Sequence, residues 1–194
     1  MTTQDTEAPL VAFLGDSLTA GWHIEEEQAY PALIGRELGT RGVAVRVLNA
    51  GVSGDTSAGG RRRLAWVLKQ KPDVVVVALG ANDGLRGLDL GPLETNLREI
   101  LEAVHDSGAR ALLVGMKIPP SLGPDYARRF EDIYVRLARE KNVPLVPFLL
   151  DGVAGRADLT FTDGIHPTAE GHKRMGANVL PHLWEVLKFL TSRG

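Results

Sequence analysis

The 194-residue chain has no cysteine, and it has no excess of basic residues, since its net charge is −2. Without cysteine, neither a disulfide framework nor a thiolate metal site can form, and the redox compartment is left open. A chain without a basic excess is poorly suited to neutralising phosphate backbones. We therefore expect no nucleic-acid partner. We also expect no metal and no cofactor, because no recognisable metal-ligand spacing is present.

Long hydrophobic runs are also missing. No apolar segment approaches the roughly 20 residues that cross a bilayer, so no membrane span is expected. Residues 1–7 are polar and acidic, and they lack the basic and apolar regions of a secretory signal. These features predict a cytoplasmic protein. The alternative is a periplasmic or secreted protein whose signal peptide has been removed.

The length and composition are typical of one globular domain. A chain of 194 residues with 44% hydrophobic and 24% charged residues can bury a core without covalent or metal cross-links. The sequence has no internal repeat, linker or low-complexity stretch. We predict one domain over residues 1–194, with residues 1–8 as a disordered tail. The oligomeric state is left open between a monomer and a weak oligomer.

Short apolar runs alternate with longer segments of helical period. The run at 74–79, VVVVAL, is so continuously apolar that both of its faces must be covered, which is typical of a parallel sheet. Strict β-α alternation predicts an α/β protein, a doubly wound three-layer α/β/α sandwich with about five strands. The predicted strands are 10–14, 43–48, 74–79, 111–116 and 145–148, and the predicted helices are 29–38, 60–69, 93–107, 125–141 and 168–190.

Ligands of such sheets bind beyond the carboxyl ends of the strands, so a functional site is expected in the loops there. The loop after the first predicted strand holds Ser17, the next holds Gly54, and the third holds Asn82. The loop after the fifth predicted strand ends in Asp163-Gly164-Ile165-His166-Pro167. All four loops should converge on one edge of the sheet.

Ser17 is the candidate nucleophile. A serine hydroxyl needs a neighbouring base, and that base needs a third group to hold it in one tautomer. Asp163 precedes His166 by three residues, with Gly164 allowing a tight turn between them. The carboxylate can then accept from Nδ1–H while Nε2 faces Ser17. None of the other four histidines follows an acidic residue in such a turn, so Ser17, Asp163 and His166 form the predicted triad.

Acyl transfer also needs donors directed at the developing oxyanion. The candidates are the N–H groups of Ser17 and Gly54 and the side-chain amide of Asn82. A glycine lets the backbone approach substrate closely, although Gly54 and Gly80 can equally serve only to allow a positive φ. For Gly80 we favour that structural role. Asn82 has the alternative of being an ordinary turn residue.

The charged residues beside these loops are not predicted to act in catalysis. Asp16 and Asp55 are expected to organise the loops by hydrogen bonds to backbone donors, with solvation of either carboxylate as the alternative. The run at 61–63, three consecutive arginines at a predicted helix start, is interpreted as a solvated face without a functional role.

Four motifs resemble the conserved blocks of the SGNH (GDSL) hydrolase family, and they occur in the family's order. They are Gly15-Asp16-Ser17-Leu18, Gly54, Gly80-Ala81-Asn82-Asp83 and Asp163-Gly164-Ile165-His166. Segments 49–57, 80–87, 119–126 and 143–148 are similar to bacterial multifunctional thioesterase I/lysophospholipase/arylesterase proteins, and the resemblance runs over 11–187.

The resemblance implies a flavodoxin-like sheet, the SGNH hydrolase fold, with a shallow and exposed site. It also implies catalytic roles for Ser17, Asp163 and His166, and an oxyanion hole formed by Ser17, Gly54 and Asn82. The expected activity is cleavage of carboxylic esters and thioesters through an acyl-serine. Expected substrates are small molecules: aryl esters, short to medium acyl esters, acyl thioesters and lysophospholipids.

Apolar residues near the same edge are candidates for contact with the acyl chain. They are Leu85, Ile118, Pro119, Pro120, Leu122 and Phe161. For Ile118 and Phe161, core packing is an equal alternative. Two other functions stay open: a carbohydrate acetylesterase of the same family, and a non-catalytic flavodoxin-like module that binds a phosphate in the loop at 15–21.

Overall fold

The centre of the molecule is a sheet of five parallel strands, seen in a computed structural model that describes residues 8–191. The strand order is β2-β1-β3-β4-β5. The strands are β1 (Leu10–Gly15), β2 (Arg46–Gly51), β3 (Val74–Ala78), β4 (Arg110–Val114) and β5 (Leu145–Val146).

Seven α-helices surround this sheet in the described part of the chain. They are α1 (Ser17–Ala20), α2 (Tyr30–Thr40), α3 (Ser57–Lys69), α4 (Ala81–Leu85), α5 (Leu90–Asp106), α6 (Pro124–Lys141) and α7 (Ala169–Thr191). Helix α5 packs against α3 and α6, while α2 packs against α7. With right-handed crossovers, these two groups cover opposite faces of the sheet. The predicted α/β sandwich is therefore confirmed.

The burial of the central strands explains their composition. Every residue of β1 and of β3 is buried, because both strands have a neighbour on each side and helices above and below. Strands covered on both faces have no polar face to maintain, which accounts for the unbroken valines of β3.

None of the five strands has both of its predicted bounds, and for β2 and β5 the difference has a clear cause. Strand β2 lies three residues beyond the predicted 43–48, because its pairing with β1 continues until Gly51 stands opposite Gly15. Strand β5 has two residues instead of four, since Pro147 follows it and has no N–H for a further ladder bond. The short helices α1 and α4 occupy positions where the sequence indicated loops.

The sheet order places the predicted site at a topological switch point. From β1 the chain moves to β2 on one side and then returns past β1 to β3 on the other. Connections leaving neighbouring strands in opposite directions open a crevice at their carboxyl ends. Ser17, Gly54 and Asn82 all follow strands that end at this crevice.

Of the predicted tail at 1–8, residues 1–7 lie outside the described residues. The carbonyl of Ala8 accepts a hydrogen bond from Arg46 Nε at 3.0 Å. Within 8–191, no helix combines the length and the apolar character that crossing a membrane requires.

Candidate active site

Ser17 is the first residue of α1, directly after the turn that leaves β1. Asp16 caps this short helix, and its carboxylate accepts the N–H of Leu18 at 3.0 Å. A side chain on Gly15 would collide with Thr19, so the turn requires glycine there. The tight turn leaves Ser17 half-buried, with its hydroxyl at the crevice.

His166 and Asp163 belong to a single turn that precedes α7. Asp163 Oδ1 accepts the N–H of Ile165 at 2.8 Å and that of His166 at 2.9 Å, and Oδ2 lies 2.7 Å from His166 Nδ1. Gly164 makes this turn possible with a φ of 69°. The hydrogen bond with the His166 imidazole has the largest effect on the pKa of Asp163. Together with the two backbone hydrogen bonds, it lowers this pKa to about 2.

These contacts decide the tautomer of His166. An ionised carboxylate only accepts hydrogen bonds, so the proton of the neutral imidazole resides on Nδ1 and Nε2 is an acceptor. His166 Nε2 lies 3.0 Å from Ser17 Oγ. The structure thus brings together the three residues of the predicted triad, which are up to 149 positions apart in the chain.

The predicted oxyanion donors lie on the neighbouring loops. Gly54 adopts a φ of 82°, in the left-handed region that favours glycine. Within residues 8–191, the backbone N–H groups of Ser17 and Gly54 donate to no protein group. Asn82 Nδ2 donates to the carbonyl of Asp55 at 2.9 Å and lies 3.5 Å from Asp16 Oδ2. Asn82 therefore bridges the loops that follow β1 and β2.

Gly80 has a structural reason to be glycine. It precedes α4 with a φ of 112°, and a side chain there would collide with the hydroxyl of Tyr134. That hydroxyl donates to the carbonyl of Leu79 at 2.9 Å. This crowding agrees with the structural role predicted for Gly80.

Asp16 is a buried carboxyl directly beside the candidate nucleophile. Only 1% of its surface is exposed. Burial raises the pKa of Asp16 to about 7, despite the hydrogen bond from Leu18, and the charges of Asp55 and Asp83 act in the same direction. The expected bond to a backbone donor is present. For Asp55 that expectation is wrong, because its carboxylate contacts a side chain, Arg63, at 2.6 Å.

Arg63 corrects the interpretation of the arginine run. Arg61 and Arg62 are exposed, but the side chain of Arg63 is only 21% exposed and reaches the carboxyl ends of β1 and β2. It donates to Asp55 Oδ2 at 2.6 Å, to the Ala50 carbonyl at 2.6 Å and to the Gly15 carbonyl at 2.7 Å.

The spacing of residues along α3 could have shown that Arg63 lies on the buried face of the helix. Arg63 lies four residues after Gly59 and four before Val67, on the face of the helix that is buried. The buried residues of α3 are Ser57, Gly59, Gly60, Leu64 and Val67.

Trp22 is a second residue that the sequence interpretation missed. Its indole lies beside His166, with ring centroids 4.2 Å apart and an angle of 35° between the planes. Phe161 lies edge-on to the same indole at 6.5 Å. Trp22 is 37% exposed, so one aromatic surface beside the candidate base faces solvent. A tryptophan directly after the nucleophile loop at 15–21 was the available signal.

The candidate acyl contacts separate into two groups. Leu85 and Leu122 are 36% and 42% exposed, and Pro119 and Pro120 are exposed as well. Ile118 is 7% exposed and packs beneath Gly84, where a side chain would press on it. The structure therefore favours core packing for Ile118.

The chain is similar to known proteins over most of its length. Residues 13–174 match the GDSL-like Lipase/Acylhydrolase family. Esterase TesA of Pseudomonas aeruginosa is 40% identical over 95% of this chain and 92% of its own length. An arylesterase of Vibrio mimicus is 40% identical, over 87% of this chain and 84% of its own.

Thioesterase 1/protease 1/lysophospholipase L1 of Escherichia coli K12 is 39% identical, over 88% of this chain and 81% of its own. The crystal structure of TesA superposes with a TM-score of 0.87, covering 90% of this chain and 97% of that one at 40% identity. The chain therefore belongs to the GDSL-like lipase/acylhydrolase family and is an ester-hydrolysing enzyme.

Proposed function

We propose that the enzyme cleaves carboxylic esters and thioesters through an acyl intermediate on Ser17. The observation that carries this proposal is the hydrogen-bonded chain from Ser17 Oγ through His166 to Asp163, with distances of 3.0 and 2.7 Å. A hydroxyl, a neutral imidazole and a carboxylate in this order are the parts that nucleophilic acyl transfer requires.

In the first half-reaction, Ser17 Oγ attacks the carbonyl carbon while His166 Nε2 accepts the hydroxyl proton. Asp163 stabilises the imidazolium that forms, through the bond to Nδ1. The tetrahedral intermediate collapses as His166 donates its proton to the leaving oxygen or sulfur. In the second half-reaction, His166 accepts a proton from water as the water oxygen attacks the acyl-serine carbonyl. The tetrahedral intermediate then collapses as His166 donates this proton to Ser17 Oγ, and the carboxylic acid and the free serine are released.

The oxyanion is stabilised by the N–H groups of Ser17 and Gly54 and by Asn82 Nδ2. Two observations support this assignment. The two backbone N–H groups donate to no protein group within residues 8–191, and Asn82 is held between the loops that carry them. Each such donor contributes roughly 2.7–4 kcal/mol of transition-state stabilisation.

The substrates are aryl esters, short to medium acyl esters, acyl thioesters and lysophospholipids. The partly exposed indole of Trp22 beside His166, together with Phe161, offers an aromatic surface for an aryl group. Exposed Leu85 and Leu122, with Pro119 and Pro120, offer an apolar rim for an acyl chain. The names of the relatives, arylesterase and thioesterase 1/lysophospholipase L1, include these activities.

A substrate panel tests the proposal. Hydrolysis of phenyl acetate, p-nitrophenyl octanoate, octanoyl-CoA, a lysophospholipid and an acetylated sugar is measured with the parent enzyme and with Ser17→Ala. We expect turnover of the first four substrates by the parent and none by the variant. Preferred turnover of the acetylated sugar, or undiminished turnover by Ser17→Ala, would overturn the proposal.

A further inference from the structure

One arginine side chain joins the loops on which the proposed oxyanion hole is built. Arg63 Nη2 donates to the carbonyl of Gly15, which lies two residues before Ser17. Arg63 Nη1 donates to the carbonyl of Ala50, at the end of β2. The guanidinium thus spans the carboxyl ends of the two neighbouring strands β1 and β2.

The third bond of Arg63 reaches the loop of the second backbone donor. Arg63 Nε donates to Asp55 Oδ2 at 2.6 Å, and Asp55 directly follows Gly54. The carbonyl of the same aspartate accepts Asn82 Nδ2 at 2.9 Å. Asp55 therefore links the arginine to the side-chain donor, and all three donors are connected through one hydrogen-bonded network.

The surroundings of this network leave it little freedom. The side chains of Arg63 and Asp55 are 21% and 18% exposed, so their ionic bond is partly shielded from solvent. A side chain on Gly59 would collide with the Asp55 carboxylate, which shows how tightly the helix packs against it. Charge-assisted bonds of this kind are about twice as strong as neutral ones.

We propose that Arg63 is a positioning residue that fixes the spacing of the Ser17 and Gly54 N–H groups and thereby sets how well the oxyanion is stabilised. This inference rests on the proposed function. Arg63 acts through the carbonyls and the carboxylate that it holds and does not touch substrate. A lysine cannot replace it, because a single ammonium lacks the planar fork that reaches three separate acceptors.

The test compares Arg63→Met and Arg63→Lys with the matched control Arg62→Met, which changes an exposed arginine of the same helix. We expect kcat on p-nitrophenyl acetate to fall about 10- to 100-fold in both Arg63 variants, with KM nearly unchanged, because small displacements of catalytic groups cost rates of this order. Arg62→Met should stay within about twofold of the parent, as expected for an exposed surface position.

A transition-state analogue separates positioning from general destabilisation. Binding of an alkyl trifluoromethyl ketone, which forms a tetrahedral adduct, should weaken by the same factor as kcat/KM, whereas inhibition by the product acid should not change. A fall in kcat/KM without weaker ketone binding, or parent-like kinetics of folded Arg63 variants, would overturn the inference. If Arg63→Met does not fold by circular dichroism, Arg63→Lys decides, since it keeps the charge and an aliphatic stem.

Labelling of the parent with a fluorophosphonate tests the proposed function independently of the role of Arg63. Absence of a label on Ser17 would show that the proposed function has failed. A labelled Ser17 combined with unchanged kinetics of the Arg63 variants would show that only the positioning role has failed.

Discussion

Replacing Asp16 with asparagine should stabilise the protein at pH 8 far more than at pH 5. Asp16 is 1% exposed, and burial raises its pKa from 3.8 to about 7. Its carboxylate caps α1 by accepting the N–H of Leu18 at 3.0 Å. Asparagine caps helices as well as aspartate does, and its amide carries no charge that burial could penalise.

The sign of the effect follows from proton binding. Because the folded protein holds the Asp16 proton up to a higher pH than the unfolded chain, it binds more protons between about pH 4 and pH 7. The free energy of unfolding therefore falls as the pH rises through this range, and the cost is complete above about pH 7. A rise of about three pKa units corresponds to roughly 4 kcal/mol at high pH, of which about 3 kcal/mol develops between pH 5 and pH 8.

Urea unfolding followed by circular dichroism at pH 5 and pH 8 measures this difference. Loss of the 3.5 Å contact between Asp16 and Asn82 affects the variant at both pH values and largely cancels in the comparison. Asp106→Asn, at the exposed end of α5, is the control and should show no comparable change. A difference between Asp16→Asn and the parent that stays constant within about 0.5 kcal/mol would refute the reasoning.

Three further variants test Asp163 and Trp22 in the site and His172, a buried residue of α7. Asp163→Asn should lower kcat for aryl esters by about 10⁴-fold, because an amide does not hold His166 in the tautomer that accepts the serine proton; a loss below tenfold would contradict this role. Trp22→Ala should lower kcat/KM about 3- to 10-fold for aryl esters relative to aliphatic esters, since an aromatic pair contributes roughly 0.5–1.5 kcal/mol. Equal losses for both ester classes, or the same shift in the exposed control Trp66→Ala, would contradict the aromatic surface. Burial lowers the pKa of His172 from 6.5 to about 4, so the parent should lose roughly 3 kcal/mol of stability from this residue as the pH falls from 7 to 4. His172→Gln should lack that loss in urea titrations, and equal pH dependence of variant and parent would show the assignment to be wrong.

The sequence predicted the layers and the strands because burial in this fold leaves a plain pattern. Strand β3 has a continuous apolar run, and its predicted and observed starts coincide at Val74. The end of β2 was missed because Asn49 and Gly51 are weak strand formers, and only pairing with β1 keeps them extended. The end of a strand such as β2 depends on pairing with a distant segment. The local sequence pattern carries no information about that pairing.

In the site too, local sequence patterns could be predicted and contacts between distant segments could not. Ser17, Asp163 and His166 could be proposed together because nucleophile, base and orienting carboxylate have recognisable residue types in loops that follow strands. Arg63 was misjudged because it was interpreted within a charge run instead of on the buried stripe of α3. Trp22 was missed because its meeting with His166 depends on how two loops fold against each other.

Covalent labelling of the nucleophile tests the central claim most directly. The enzyme is treated with a fluorophosphonate and examined by intact-mass measurement and peptide mapping, beside Ser17→Ala and the control Ser53→Ala, which changes an exposed serine next to Gly54. We predict one adduct per chain on Ser17 in the parent and in Ser53→Ala, and none in Ser17→Ala. An adduct that persists in Ser17→Ala, or no adduct on the parent, would contradict the account.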